Sequence, residues 1–287
     1  MKYYSLIFLI CCFSACSGTK PIVRNIPKKT SEIKKEINDT IIKKVIIFNE
    51  ESDSAVNSNE TLKDSIQEKI IPPKPLYFSV WNNLLQKYVS ENGNINYLGF
   101  KNNWANLKIY IESLSKNIPN NNSTKEEKLA YWINAYNAFT IDLILRNYPI
   151  KSIKDIKDPW DQRLWKLGDK WYNLEGIEHQ ILRKMDEPRI HFAIVCASYS
   201  CPKLLNEAYT ASNLELQLTN ATKDFLADNK RNNITANNLK LSKIFQWFSK
   251  DFKQNGSLIG FLNNYSAIKI SNKAKTSFND YNWSLNE

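Results

Sequence analysis

The run KLAYWINAYNAFTIDLILRNYP, Lys128 to Pro149, is apolar on nearly every side. A helix with one apolar stripe can lie on a surface, but one that is apolar all round must be enclosed. The rest of the fold therefore has to wrap this segment. Ser123 ahead of Glu126 and Glu127 marks its start, with acids in the first turn, and Pro149 stops it. The exceptions to its apolarity are Asn134, Asn137, Thr140 and Asp142. Asn134 and Asn137 share one side, and buried amides must be hydrogen-bonded. Tying down neighbouring loops is the favoured reading of this pair; binding a ligand is the other.

The surrounding sequence supplies the wrapping. Trp81, Leu84, Leu85 and Tyr88 have helical spacing, as does the stretch from Trp104 to Leu114. Glu91 to Asn94 reads as a turn and Ile95 to Tyr97 as a short strand. Leu164–Leu167 and Lys170–Tyr172 flank a Gly168-Asp169 turn and suit a hairpin. Asn173 is placed to cap a helix over LEGIEHQILRKM. His191 to Cys196 reads as an interior strand, and a helix follows from about Asn213 to Ala227, capped by Thr210 or Ser212. Asn232 to Leu241 suits a hairpin around Asn237-Asn238, and LSKIFQWF a closing helix. The fold class is α+β: one helix-rich domain, residues 77–287, with a small mixed β-sheet around a buried central helix.

The N-terminus sets the chemical environment. MKYYSLIFLICCFSACSGTK carries Lys2 and then an apolar run too short for a permanent membrane helix, so residues 1–15 read as a signal peptide. Small residues directly before Cys16 resemble a bacterial lipobox, which makes Cys16 the expected lipidation site and the membrane a partner through lipid. Residues 16–76 are rich in Lys, Glu, Asn and Ser, with Phe48 as the only aromatic after the signal, and read as a flexible tether. The expected address is the bacterial cell envelope. The formal charge of +10 is scattered rather than clustered, so it reads as solvated surface and no nucleic-acid partner is expected.

Of five cysteines, this processing leaves Cys196 and Cys201 as possible thiols, close to His179 and His191, which are the two histidines of the chain. Glu178 falls on the apolar face of its helix. A lone carboxylate there needs a partner, for which Arg189 is one candidate. On a straight strand His191 and Cys196 would point to opposite faces, so a dyad would favour Cys201.

EEKLAYWINAYNAFTIDLIL, LEGIEHQILR, RIHFAIVCASYSCPKLLNEAYT and LSKIFQWFSKDF, in this order, resemble the family catalogued as domain of unknown function 547, over roughly Tyr77 to Tyr265. The resemblance implies a module that recurs in exported bacterial proteins and is also found in plant proteins. It implies no known activity. It makes Asn134, Asn137, Glu178, His179, Arg189, His191, Cys196, Ser198, Cys201 and Pro202 motif positions.

Four chemistries fit these residues. A Cys196–Cys201 disulfide is favoured by an oxidising compartment and a short spacing. A thiol nucleophile, Cys201 first, would use His179 or His191 as base, with Glu178 orienting it. Papain- and transglutaminase-like enzymes are similar in their long helix and histidine strand. They place a cysteine at the start of that helix, where this chain has Trp132, Ile133 and Asn134. A zinc site from both histidines and both cysteines matches no finger spacing. A thioredoxin-like centre normally needs C-x-x-C. The expected function is a disulfide-stapled envelope binding module for an unidentified envelope ligand or protein. Its polar pocket is built from Glu178, His179, His191 and the Cys196–Cys201 loop, with Asn134, Asn137, Arg189 and Ser198 as candidate binding residues. The alternative is a Cys/His-dependent hydrolase or transferase. No cofactor and no metal are expected.

Overall fold

The computed structural model describes residues 76–287. The segments expected to be a signal peptide and a tether, Cys16 included, lie outside the described residues up to Pro75. Helices α1 (Leu76–Tyr88), α2 (Tyr97–Asn102) and α3 (Trp104–Lys116) precede the central helix α4 (Lys125–Asn147). Helix α4 opens on Thr124, one residue after the expected start. The Thr124 hydroxyl accepts from Glu127 N at 3.2 Å while the Glu127 carboxylate accepts from Thr124 N at 2.8 Å, a reciprocal capping box. Every residue from Leu129 to Leu145 is buried, as an all-round apolar helix requires. Trp81 of α1 stacks on Tyr110 of α3, and Phe139 of α4 stacks on Trp165 at 4.5 Å.

Trp165 belongs to a hairpin, β1 (Trp165–Leu167) with β2 (Lys170–Tyr172), antiparallel and turned at Gly168 with φ +58. After helix α5 (Leu214–Ala227), β3 (Asn233–Ile234) pairs antiparallel with β4 (Asn238–Leu241). Helices α6 (Ile244–Trp247), α7 (Ser249–Lys253) and α8 (Leu258–Asn263) follow, and β5 (Lys275–Phe278) returns parallel to β4. The protein is thus a helix-rich α+β domain with two small sheets of two and three strands, where a single sheet was expected. The larger one is mixed, and it packs away from α4. Phe192, Phe225, Phe245 and Phe252 form a second core with Leu239 and Leu241, distinct from the core around α4.

Besides the helix expected over LEGIEHQILRKM, three expected elements differ. Ile95 makes one bridge to Val89 and no strand, because the chain enters α2 at Tyr97. Helix α5 starts from Asn213 without a side-chain cap, so neither Thr210 nor Ser212 fills that role. The largest change is at His191–Cys196, which is not a strand. Pro188 sits in the first turn of a 3₁₀ segment, Pro188–Phe192, and the Glu187 side chain accepts from Arg189 N at 3.1 Å. A short apolar run does not by itself separate a strand from a buried helical turn. The backbone beyond it finds its partners in one side chain: Asn137 Nδ2 donates to Ala193 O at 2.9 Å and its Oδ1 accepts from Val195 N at 3.0 Å. That amide does what a neighbouring strand would have done.

Candidate functional site

Glu178 and His179 stand on a π-helical turn, Gly176–Ile181, where an α-helix was expected. Asn173 Oδ1 accepts from Gly176 N at 3.0 Å at its start, and a 3₁₀ turn, Leu182–Met185, carries it to Asp186 at φ 50. The wider turn narrows the angle between successive side chains, so Glu178 and its neighbour His179 share one side. Glu178 is 9% exposed. Its Oε2 accepts from the Tyr136 hydroxyl at 3.1 Å. Burial, reinforced by Glu178, holds the Tyr136 pKa well above its usual value, so Tyr136 remains a donor.

Arg189 is not the counter-ion of Glu178. Its guanidinium is bound by Glu187 and by Glu215 of α5, each at 2.6 Å at closest. The 3₁₀ turn begun at Pro188 aims the side chain towards α5, away from the π turn. The cation nearest the two histidines is Arg183. It donates to His179 Nδ1 at 2.7 Å and holds Asp251 of α7 by two bonds, Nε to Oδ2 at 2.6 Å and Nη2 to Oδ1 at 2.7 Å. Arginine only donates, so His179 Nδ1 accepts and the ring hydrogen lies on Nε2. His191 Nε2 meets Asp251 Oδ2 at 2.8 Å, and its ring stacks on Phe248 at 3.9 Å. Burial works to raise the Asp251 pKa. The hydrogen bonds from Arg183 and His191, with their charges, outweigh it and hold the carboxyl well below the usual range.

Cys196 and Cys201 are paired, with Cα atoms 6.4 Å apart, within disulfide reach. Between them Ala197 takes a left-handed φ of 56, unusual for a residue with a Cβ. The loop is held from several directions. Ser198 Oγ bonds the Tyr281 hydroxyl at 2.9 Å, and Arg231 Nε donates to Cys201 O at 2.8 Å. The C-terminal segment lies along the loop: Tyr199 N donates to Ser284 O at 2.7 Å and Ser200 N to Asn282 O at 3.2 Å.

These pieces close around a cavity of about 190 Å³ at the seam between the two cores. Tyr136, Ile194 and both cysteines line it from the α4 side, and Ile244 and Phe248 from the other. Glu178, His179 and His191 line it too. Because Arg189–Cys196 is helical and then irregular, His191 reaches the cavity that Cys196 and Cys201 wall. Asn134, Asn137, Arg189 and Ser198 do not line it. Asn134 accepts from Trp81 Nε1 at 3.2 Å and from Tyr209 N at 3.0 Å, and it donates to Tyr209 O at 2.8 Å, so both clamp amides are engaged with loops or packing partners.

Sequence reasoning missed the aromatic mouth and the ion pair behind it. Trp160, Trp247, Tyr281 and Trp283 line the opening, with Tyr281 4.6 Å from Trp283 and 4.7 Å from Trp247. Trp247 is 47% exposed, far more than a core tryptophan. Arg183 and Asp251 are far apart in sequence, and only the fold joins them. The one available signal was Asp251 itself, an acid amid the aromatics of LSKIFQWFSKDF.

Among the described residues no three His, Cys, Asp or Glu side chains are grouped to hold a metal ion, and no helix is long and apolar enough to cross a membrane. Nothing among curated proteins or solved structures matches the chain. One family model does, over residues 120–226, a narrower span than Tyr77 to Tyr265. The matched segment holds α4, the π turn and the cysteine loop and ends within α5; Trp247, Asp251, Tyr281 and Trp283 fall outside it. Residues 120–226 of the chain match the model of the family described as Protein of unknown function, DUF547.

Proposed function

We propose that the chain is a lipid-anchored protein of the bacterial envelope whose cavity binds a small ligand, with Cys196–Cys201 as a staple in the cavity wall. The observation that carries this reading is the convergence of Glu178, His179, His191 and both sulfurs on one partly open cavity with aromatic walls. Concave, largely apolar sites with a few convergent polar groups are the usual form of ligand pockets. Phe13-Ser14-Ala15-Cys16 supports the anchor. The Cys16→Ser variant is expected to move to the soluble fraction; retention in membranes with unchanged mobility would remove the lipid from the proposal.

A Cys/His-dependent hydrolase or transferase is the second reading, favoured by the presence of both imidazoles and both sulfurs in the same cavity. A sulfur joined to its neighbour is no nucleophile, so the redox state separates the two. Native exported protein is alkylated before unfolding and analysed by mass spectrometry without reductant. Binding with a staple predicts that both cysteines stay unmodified and linked. Rapid alkylation of one thiol at neutral pH would instead make Cys201 the first candidate nucleophile.

A further inference from the structure

The polar groups around the cavity are mostly committed to one another. Arg183 is taken by Asp251 and His179, and His191 Nε2 by Asp251. The Tyr281 hydroxyl is engaged with Ser198, and the Tyr136 hydroxyl donates to Glu178. Glu178 takes part in no salt bridge among the described residues, and only its Oε2 is hydrogen-bonded. Little remains to read a polyhydroxylated ligand, which needs many donors and acceptors at once. What remains is one carboxylate oxygen, the free ring nitrogens of the histidines, and aromatic faces.

The charge points the same way. Asp251 is paired with Arg183 and His191, and Glu178 is the acid of the cavity lining that has no salt bridge among the described residues. Tyr281 is tilted by 52° against both Trp247 and Trp283, while Trp247 and Trp283 lie at 26° to each other with centroids 5.9 Å apart, so the three rings form one aromatic cluster. Lys154 Nζ lies 5.1 Å from the Trp283 centroid, so this ring already takes an ammonium from outside the cavity. Aromatic rings that line a cavity together with a carboxylate are suited to a poorly hydrated cation.

We propose that the cavity selects an organic ammonium group, seated against Trp247, Tyr281 and Trp283 with its charge facing Glu178. This rests on the cavity being a binding site. About 190 Å³ has room for a tetramethylammonium-sized head and little more.

The test is a titration of the intact protein with choline, followed by tryptophan fluorescence at constant ionic strength. The comparison ligand is 3,3-dimethylbutanol, the neutral carbon isostere of choline. Choline should saturate the signal, and the neutral isostere should bind about tenfold more weakly or worse, the size of one desolvated cation–π and charge contact. Glu178→Gln should abolish most of that preference and leave the isostere's affinity unchanged. Trp247→Ala, at a half-exposed position, should weaken choline. Equal affinity for choline and its isostere, or an unaltered choline response in both variants, would overturn the ammonium assignment. Saturation by glucose without saturation by choline would overturn it too, yet leave a binding module standing. The failure of binding itself is recognised separately, by the rapidly alkylating thiol.

Discussion

Two acidic side chains are enclosed by the same helix-rich core, and they are treated in opposite ways. Asp142 lies inside α4 and is satisfied from three directions: by Trp104 Nε1 at 2.7 Å, by Trp165 Nε1 at 2.9 Å and by Arg146 Nε at 2.8 Å. Glu178, on the π turn, has one neutral donor, Tyr136. A buried carboxylate matched on both oxygens ties elements together, here α3, α4 and β1. One left with spare acceptor capacity beside a cavity contributes little to the fold and is available to something that enters. The difference separates a structural acid from a ligand-facing one without reference to any relative.

The largest effect should come from Asp142. Asp142→Ala leaves the buried Trp165 N–H and the partly buried Trp104 N–H without acceptors and should lower the unfolding free energy by about 3 kcal/mol in urea titration. A loss comparable to that of an exposed site would break the contrast at its structural end. Next is the staple. Cys201→Ser removes a short loop closure and should lower stability on the order of 2 kcal/mol. Limited proteolysis should then cut first near Ser198–Ser200 and free the C-terminal segment that carries Tyr281 and Trp283. Cutting elsewhere would show that Arg231 and the tail suffice to hold the loop.

Asp251 sharpens the comparison, because it is a cavity-side acid that is fully paired. Its folded pKa is depressed, so its contribution to stability is complete above the unfolded carboxylate value, about 3.9. That contribution is lost as pH falls through the depressed folded value. Asp251→Asn should therefore melt below wild type at neutral pH, and the two melting curves should converge as pH drops below about 4. A gap that persists at acid pH would mean that the carboxylate acts by shape and not by charge.

Much of the fold is legible in the sequence for specific physical reasons. An all-round apolar helix leaves one placement, and the Gly168 turn between alternating residues leaves one hairpin. Asn137 was legible as a buried amide that ties a loop, though the loop it ties was misread. The apolar run from Ile190 to Val195 suits a strand as well as a turn, and the donor that decides between them sits on another helix. Of the site, Glu178, His179, His191 and the cysteine pair were visible because carboxylate, imidazole and thiol are rare in apolar surroundings. Tyr281 and Trp283 were not, because aromatic residues near a C-terminus most often fill a core, and only tertiary structure lays them against the cysteine loop. The π turn was equally hidden, since its sequence has ordinary helical periodicity.

The smallest expected change is the most informative. Glu178→Gln keeps an acceptor for Tyr136 and removes a charge that nothing in the fold neutralises directly. Chemical denaturation of this variant beside Asp142→Asn, both against wild type, asks whether Glu178 is there for the fold. A stability within about 0.5 kcal/mol of wild type or above it, with Asp142→Asn clearly destabilised, is the predicted result. Equal losses in the two variants would contradict it and make Glu178 a second structural acid.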